Sequence, residues 1–143
     1  MRFLPLLIAL VFGSFISTAK AVNVTRTGPV IIEIIQASAS VKIDMSTATT
    51  TQVIAAVGGQ NIYITSWDVI AGGTGNFKLV YGTGTNCATG TTDLTGAYNL
   101  TAQAGIAKGN GLGPVLTAPV GVAVCVVNSA PVQMSGSIAY TQY

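Results

Sequence analysis

Four carboxylates (Glu33, Asp44, Asp68 and Asp93), one cysteine pair (Cys87 and Cys125) and a few lysines hold most of the reactive capacity of this 143-residue chain, which has no histidine. Histidine is the side chain whose unperturbed pKa lies nearest neutrality. A catalyst without one must shift a carboxylate, lysine or tyrosine by several units. Two of the acids could hydrolyse a glycoside if they stood about 5 to 10 Å apart in a cleft, and Asp68 with Asp93 could offer hard oxygen ligands to calcium. Neither arrangement follows from their scattered positions, and charges on solvated strand faces are the default reading. Lys78 and Lys108 lack a Ser-x-x-Lys pattern, so none of the many hydroxyls has a base to activate it. The run Gly109-Asn110-Gly111-Leu112-Gly113 has no lysine-serine ending and no following helix, which makes it a turn rather than a phosphate cradle. The expectation is a non-enzymatic protein with no catalytic residue, no bound metal and no cofactor.

The cysteines speak instead about compartment. They lie 38 positions apart, without the C-x-x-C spacing that tunes a reactive thiolate, and read as a structural disulfide Cys87–Cys125. Residues 1–21 agree with export: Met1-Arg2 is a short positive start, Phe3 to Ile16 is apolar, and Ser17 to Ala21 ends in an A-x-A pattern. Cleavage is expected after Ala21, because the apolar run of 14 residues is short of the roughly 20 needed to span a bilayer. The product would be secreted, extracellular or periplasmic, with no stable membrane span after processing. Its charge would balance, with Arg26, Lys42, Lys78 and Lys108 against the four acids. That argues against nucleic acid as a partner, since such binding needs clustered Lys and Arg. It also removes the usual electrostatic deterrent to self-association.

The elements that must position these residues read as strands throughout. Val, Ile, Thr and Tyr are abundant, Gly and Asn punctuate at short intervals, and no window keeps a 3.6-residue apolar period. Pro29 to Gln36 reads as a first strand, apolar on both faces except at Glu33. Ser40 to Ser46 alternates, with Val41, Ile43 and Met45 on one face. Thr51 to Val57 is a third run. Ile62 to Ala71 would place Ile62, Ile64 and Ser66 on one side and Tyr63, Thr65, Trp67 and Val69 on the other, as in a central strand covered on both faces. Gly72 to Asn76 would turn it into a hairpin with the strand bearing Phe77, Leu79 and Tyr81. Residues 82–96 read as a long polar loop pinned by Cys87, Tyr98 to Ala102 as a short strand, and 104–113 as a second loop before Pro114 to Thr117. Val120 to Val127 would alternate with all four even-numbered valines on one side, and a last hairpin would turn through Asn128 to Pro131. There Val132, Met134, Ile138 and Tyr140 would face the core, with Gln133, Ser135, Ser137 and Thr141 outward. The whole predicts an all-β fold: after the signal segment, residues 22–143 form a single antiparallel β-sandwich of jelly-roll type.

Three stretches give the chain a resemblance. TTTQVIAAVGGQNIYITSW, VYGTGTNCATGTTDLTGAYNLTA and VCVVNSAPVQMSGSIAYTQY, within about residues 50–143, resemble small phage- and prophage-encoded structural proteins of decoration or fibre type. The resemblance implies a β-sandwich virion component without catalytic residues, while the export signal admits a cell-surface protein as well. The expected function is therefore that of a structural or assembly subunit of a virion, filament or extracellular surface layer, partnered by copies of itself or by a larger shell. Val30, Ile32 and Ile34 could add as a strand to a neighbouring subunit. The alternative is a secreted carbohydrate-binding or adhesion module using loops 82–96 and 104–113. Trp67, Tyr98 and the other tyrosines could then make a stacking platform for a glycan, although packing is the commoner role of strand aromatics.

Overall fold

A computed structural model describes residues 35–109 and 113–143, all within the compact unit Glu33–Tyr143. The signal segment and the strand positions Val30, Ile32 and Ile34 lie outside the described residues, as do residues 110–112 of the glycine loop. In chain order the strands are β1 (Ala39–Met45), β2 (Thr49–Ile54), β3 (Ile62–Ala71), β4 (Gly75–Thr83), β5 (Thr89–Asp93), β6 (Tyr98–Leu100), β7 (Gly105–Gly109), β8 (Leu116–Ala118), β9 (Ala123–Asn128) and β10 (Met134–Gln142). A single 3-10 turn, Thr85–Cys87, stands between β4 and β5.

Two antiparallel sheets pack face to face. Sheet I runs β1-β10-β3, with β7 and β8 sharing the outer edge of β3; sheet II runs β2-β9-β4, with β5 and β6 sharing the outer edge of β4. If each shared edge counts as one strand position, the first position pairs with the last, the second with the next to last, and so inward. That is one long antiparallel ribbon rolled upon itself, the jelly roll.

Rolling corrects both expected hairpins. β3 and β4 lie in different sheets, as do β9 and β10, so residues 72–74 and 129–133 are crossovers between sheets. The two crossovers lie against each other. Gly72 N–H donates to Gln133 O at 2.7 Å and Ser129 N–H to Asn76 O at 3.0 Å, and a Cβ on Gly73 would stand 2.7 Å from Val132 Cγ1. The glycines read as hairpin residues are thus needed for close approach. Asn128, 2% exposed, holds the second crossover by donating to Val132 O and accepting from Ala130 N–H.

The core lies between the sheets and includes Ile43, Met45, Ile54, Phe77, Leu79, Val124, Val126, Met134 and Ile138. β3 differs from its expected pattern. Tyr140 pairs with Ile64 and Ala139 with Ser66, which leaves Thr65 as an extra residue, a β-bulge that flips the alternation. Its hydroxyl donates to Ala139 O at 3.2 Å. Ile62, Ile64, Trp67, Val69 and Ala71 therefore all face the core, and Ile70 on the other side is 57% exposed. The strand is covered on one face only. Thr141, expected outward, is buried because its hydroxyl meets Ser38 Oγ at 2.9 Å and it stands opposite Tyr63, whose ring stacks on Tyr143.

Sheet II is partly covered on its outer face as well. On its outside Val80, Ala123 and Cys125 form a small second cluster with Cys87 of the 3-10 turn, and the Cys87–Cys125 disulfide fastens that turn to β9. β9 begins only at Ala123, since Gly121 takes a positive φ of 77° and Val120 is left exposed. Both expected loops contain edge strands: β5 lies within 82–96 and β7 within 104–113.

Candidate functional site

The acids do not converge. Asp44 accepts from Lys42 Nζ and Gln133 Nε2, each at 3.0 Å. The Lys42 hydrogen bond, then the Gln133 bond and the lysine charge, hold its carboxyl below the usual value. Asp93 pairs with Lys78 at 2.7 Å, and Asp68 accepts from Ser137 Oγ. Asp68 alternates with inward-facing Trp67 and Val69 on β3, and Asp93 stands opposite Val80 of the outer cluster of sheet II. The two residues weighed as calcium ligands thus sit on outer faces of different sheets. Among the described residues no three His, Cys, Asp or Glu side chains come together, and no helix is long and apolar enough to cross a membrane.

The tyrosines do not share a platform. Tyr63 stacks on Tyr143 with ring centroids 4.6 Å apart, while Tyr81, Tyr98 and Tyr140 pack against the core. Trp67 and Tyr98, the two aromatics nominated for ligand contact, do meet, with centroids 5.6 Å apart. The reason is local. Trp67 faces inward beyond the Thr65 bulge, and Tyr98 lies opposite the inward-facing Phe77 in the β4–β6 ladder. The indole also stacks on Phe77 at 5.5 Å.

These rings border a groove of about 390 Å³ at the open edge of the sandwich, lined further by Thr95, Lys108, Val115 and Leu116. The split edges make it: β7 ends at Gly109 and β8 begins at Leu116 on one sheet, while Thr95 lies between β5 and β6 on the other. Lys108 stands directly opposite Trp67 in the β3–β7 ladder, so both side chains leave the same face. An inward-pointing lysine on an edge strand also discourages edge-to-edge pairing. Trp67 is only 3% exposed. It cannot serve as a stacking surface, which corrects the expected role. Its indole N–H has no acceptor among the described residues, yet it is not sealed from solvent. Lys108 and the hydroxyl of Tyr98 likewise have no partner among the described residues. Thr95 Oγ1 accepts from Leu79 N–H at 3.0 Å, which fixes that wall.

Sequence reasoning found Trp67 and Tyr98 but missed Lys108, because the segment carrying it read as loop. The alternation of Ile106 and Lys108 was the only signal of an edge strand there.

A second feature is the outer face of sheet I. Its rows read Asp44-Ser135-Ile70-Gly105, Lys42-Ser137-Asp68-Ala107 and Ser40-Ala139-Ser66-Gly109. Most positions are Ser, Ala or Gly, and its two acids are satisfied within the face or at its border by Lys42, Ser137 and Gln133. The result is a surface of mostly small side chains that holds one ion pair, Lys42–Asp44, one carboxylate bonded to a hydroxyl, Asp68, and the exposed Ile70. Compared with models of known families, with characterised proteins and with solved structures, the chain finds no match.

Proposed function

We propose that this protein is a non-enzymatic structural subunit that assembles with copies of itself, or onto a larger shell or filament, outside the cytoplasm. The observation that carries the reading is the outer face of sheet I. Small side chains let a second surface approach closely, and both acids already have partners within the face or at its border, Lys42 and Gln133 for Asp44 and Ser137 for Asp68. The balanced charge of the chain after residue 21 and the disulfide favour the same reading, as does the resemblance to virion decoration and fibre proteins.

Ser135 and Ala107 are exposed on that face, so arginine at both should leave the fold intact while placing like charges in the contact. Light scattering should then show the Ser135→Arg/Ala107→Arg protein as monomers where the parent forms oligomers. Oligomers of unchanged mass in the variant would remove this face from the account.

A second reading, a secreted carbohydrate-binding module, is favoured by one observation: the groove floored by Trp67, whose N–H is left without an acceptor among the described residues.

A further inference from the structure

The geometry points to an acidic saccharide, one carrying a carboxylate on its ring, as the ligand of the Trp67–Lys108 groove; this rests on the carbohydrate-binding reading of that site. The polar groups that reach the groove from sheet I are of one kind. An indole N–H can only donate a hydrogen bond, and so can an ammonium. Trp67 and Lys108 are ladder partners, so their side chains leave the strands on the same face of the sheet. Neither has a partner among the described residues. The indole N–H is not sealed from solvent, so it can donate to a group entering the groove from outside.

Charge narrows the choice. Lys42 and Lys78 are paired with Asp44 and Asp93, which makes Lys108 the cation of the described residues with no acid beside it. A carboxylate matches it by charge, and its second oxygen can take the indole N–H. Charge-assisted bonds of this kind are roughly twice as strong as neutral ones.

The remaining walls fit the rest of a sugar. Val115, Leu116 and the ring of Tyr98 offer apolar surface to its C–H groups, while the Tyr98 hydroxyl can donate to or accept from a ring hydroxyl. The volume of about 390 Å³ lies at the small end of ligand sites, which suits one or two sugar units rather than a folded partner. Trp67 acts here through its N–H and not its ring face, since the ring is packed on Phe77 and Tyr98.

The test is an array carrying neutral, uronic-acid and sialylated glycans, probed with the intact exported protein and followed by calorimetry on the strongest hits. The inference expects acidic glycans alone to bind, with affinity falling as salt rises. Lys108→Met should weaken binding at least tenfold with an unchanged melting temperature. Trp67→Phe keeps an aromatic ring against Phe77 while removing the donor and part of the indole, and should weaken binding several-fold, with the melting temperature read alongside to separate lost packing from the lost donor. Neutral glycans bound equally well, with Lys108→Met silent, would overturn the acidic assignment while leaving a carbohydrate module standing. No binding to any glycan on the array would overturn both.

Discussion

Gly136 shows how single residues constrain this fold. A Cβ at that position would collide with the backbone carbonyl of Asp68 on the neighbouring strand, and backbone cannot swing aside as a side chain can. Gly136→Ala should cost about 2 to 3 kcal/mol or more by overpacking, read as a lower urea midpoint; an unchanged midpoint would mean the strands separate more easily than their ladder suggests. Trp67 is the second such residue. Its truncation to alanine should cost about 3 to 5 kcal/mol, so loss of binding in that variant would report a damaged core, and Trp67→Phe is the informative change. Acid response follows from Asp44. Its carboxyl is held below the ordinary value of 3.8, so its contribution is present above that pH and is lost as pH falls through the lower folded value. Asp44→Asn should abolish that part of the acid sensitivity. The chain has no histidine, the side chain whose unperturbed pKa lies between about pH 5 and 8, and urea midpoints across that range should be flat. A slope there would reveal a shifted group that the contacts do not explain. At this scale the site was partly legible: Trp67 and Tyr98 were visible as aromatics in strands. Their meeting was not, because it depends on the extra residue Thr65, and a bulge leaves no mark in an alternating pattern of Ile, Tyr, Thr and Ser.

Elements were more legible than their partners. Alternation located β1, β3, β4 and β10 within a residue or two, since one face of each is buried and period-two patterning follows directly. β5 and β7 were hidden for the same reason in reverse: β5 is exposed at every position, and β7 is framed by glycines with Ile106 its only half-buried residue. Pairing was misread because a jelly roll sends most consecutive strands to opposite sheets, and the Gly-rich residues that make a tight hairpin also let two crossovers pack together. The disulfide acts at this scale too. It ties the 3-10 turn to β9 across the outer face of sheet II and closes a separation of 38 residues, for which chain entropy gives about 4 kcal/mol. Replacing both cysteines by serine should lower unfolding free energy by about 2 to 4 kcal/mol, and added reductant should then have no further effect. A parent protein indifferent to reductant, with the bond shown to be broken, would contradict the clamp.

Among the described residues, sheet II carries the disulfide-bonded turn on its outer face, and the outer face of sheet I is mostly small side chains. The turn is a cover for sheet II, whereas Ile70, Ala107 and Ser135 are exposed on sheet I. Composition had pointed this way through balanced charge and few ionisable groups, but which face would be bare depended on where Cys87 folded back, a tertiary fact with no local signature. The groove at the sandwich edge adjoins that face at Gly109. The central claim is self-assembly. Sedimentation velocity of the purified protein over a wide concentration range, with electron microscopy of the same samples, tests it most directly: the account predicts a defined oligomer or polymer formed without added ligand, and a monomer persisting at every concentration would contradict it.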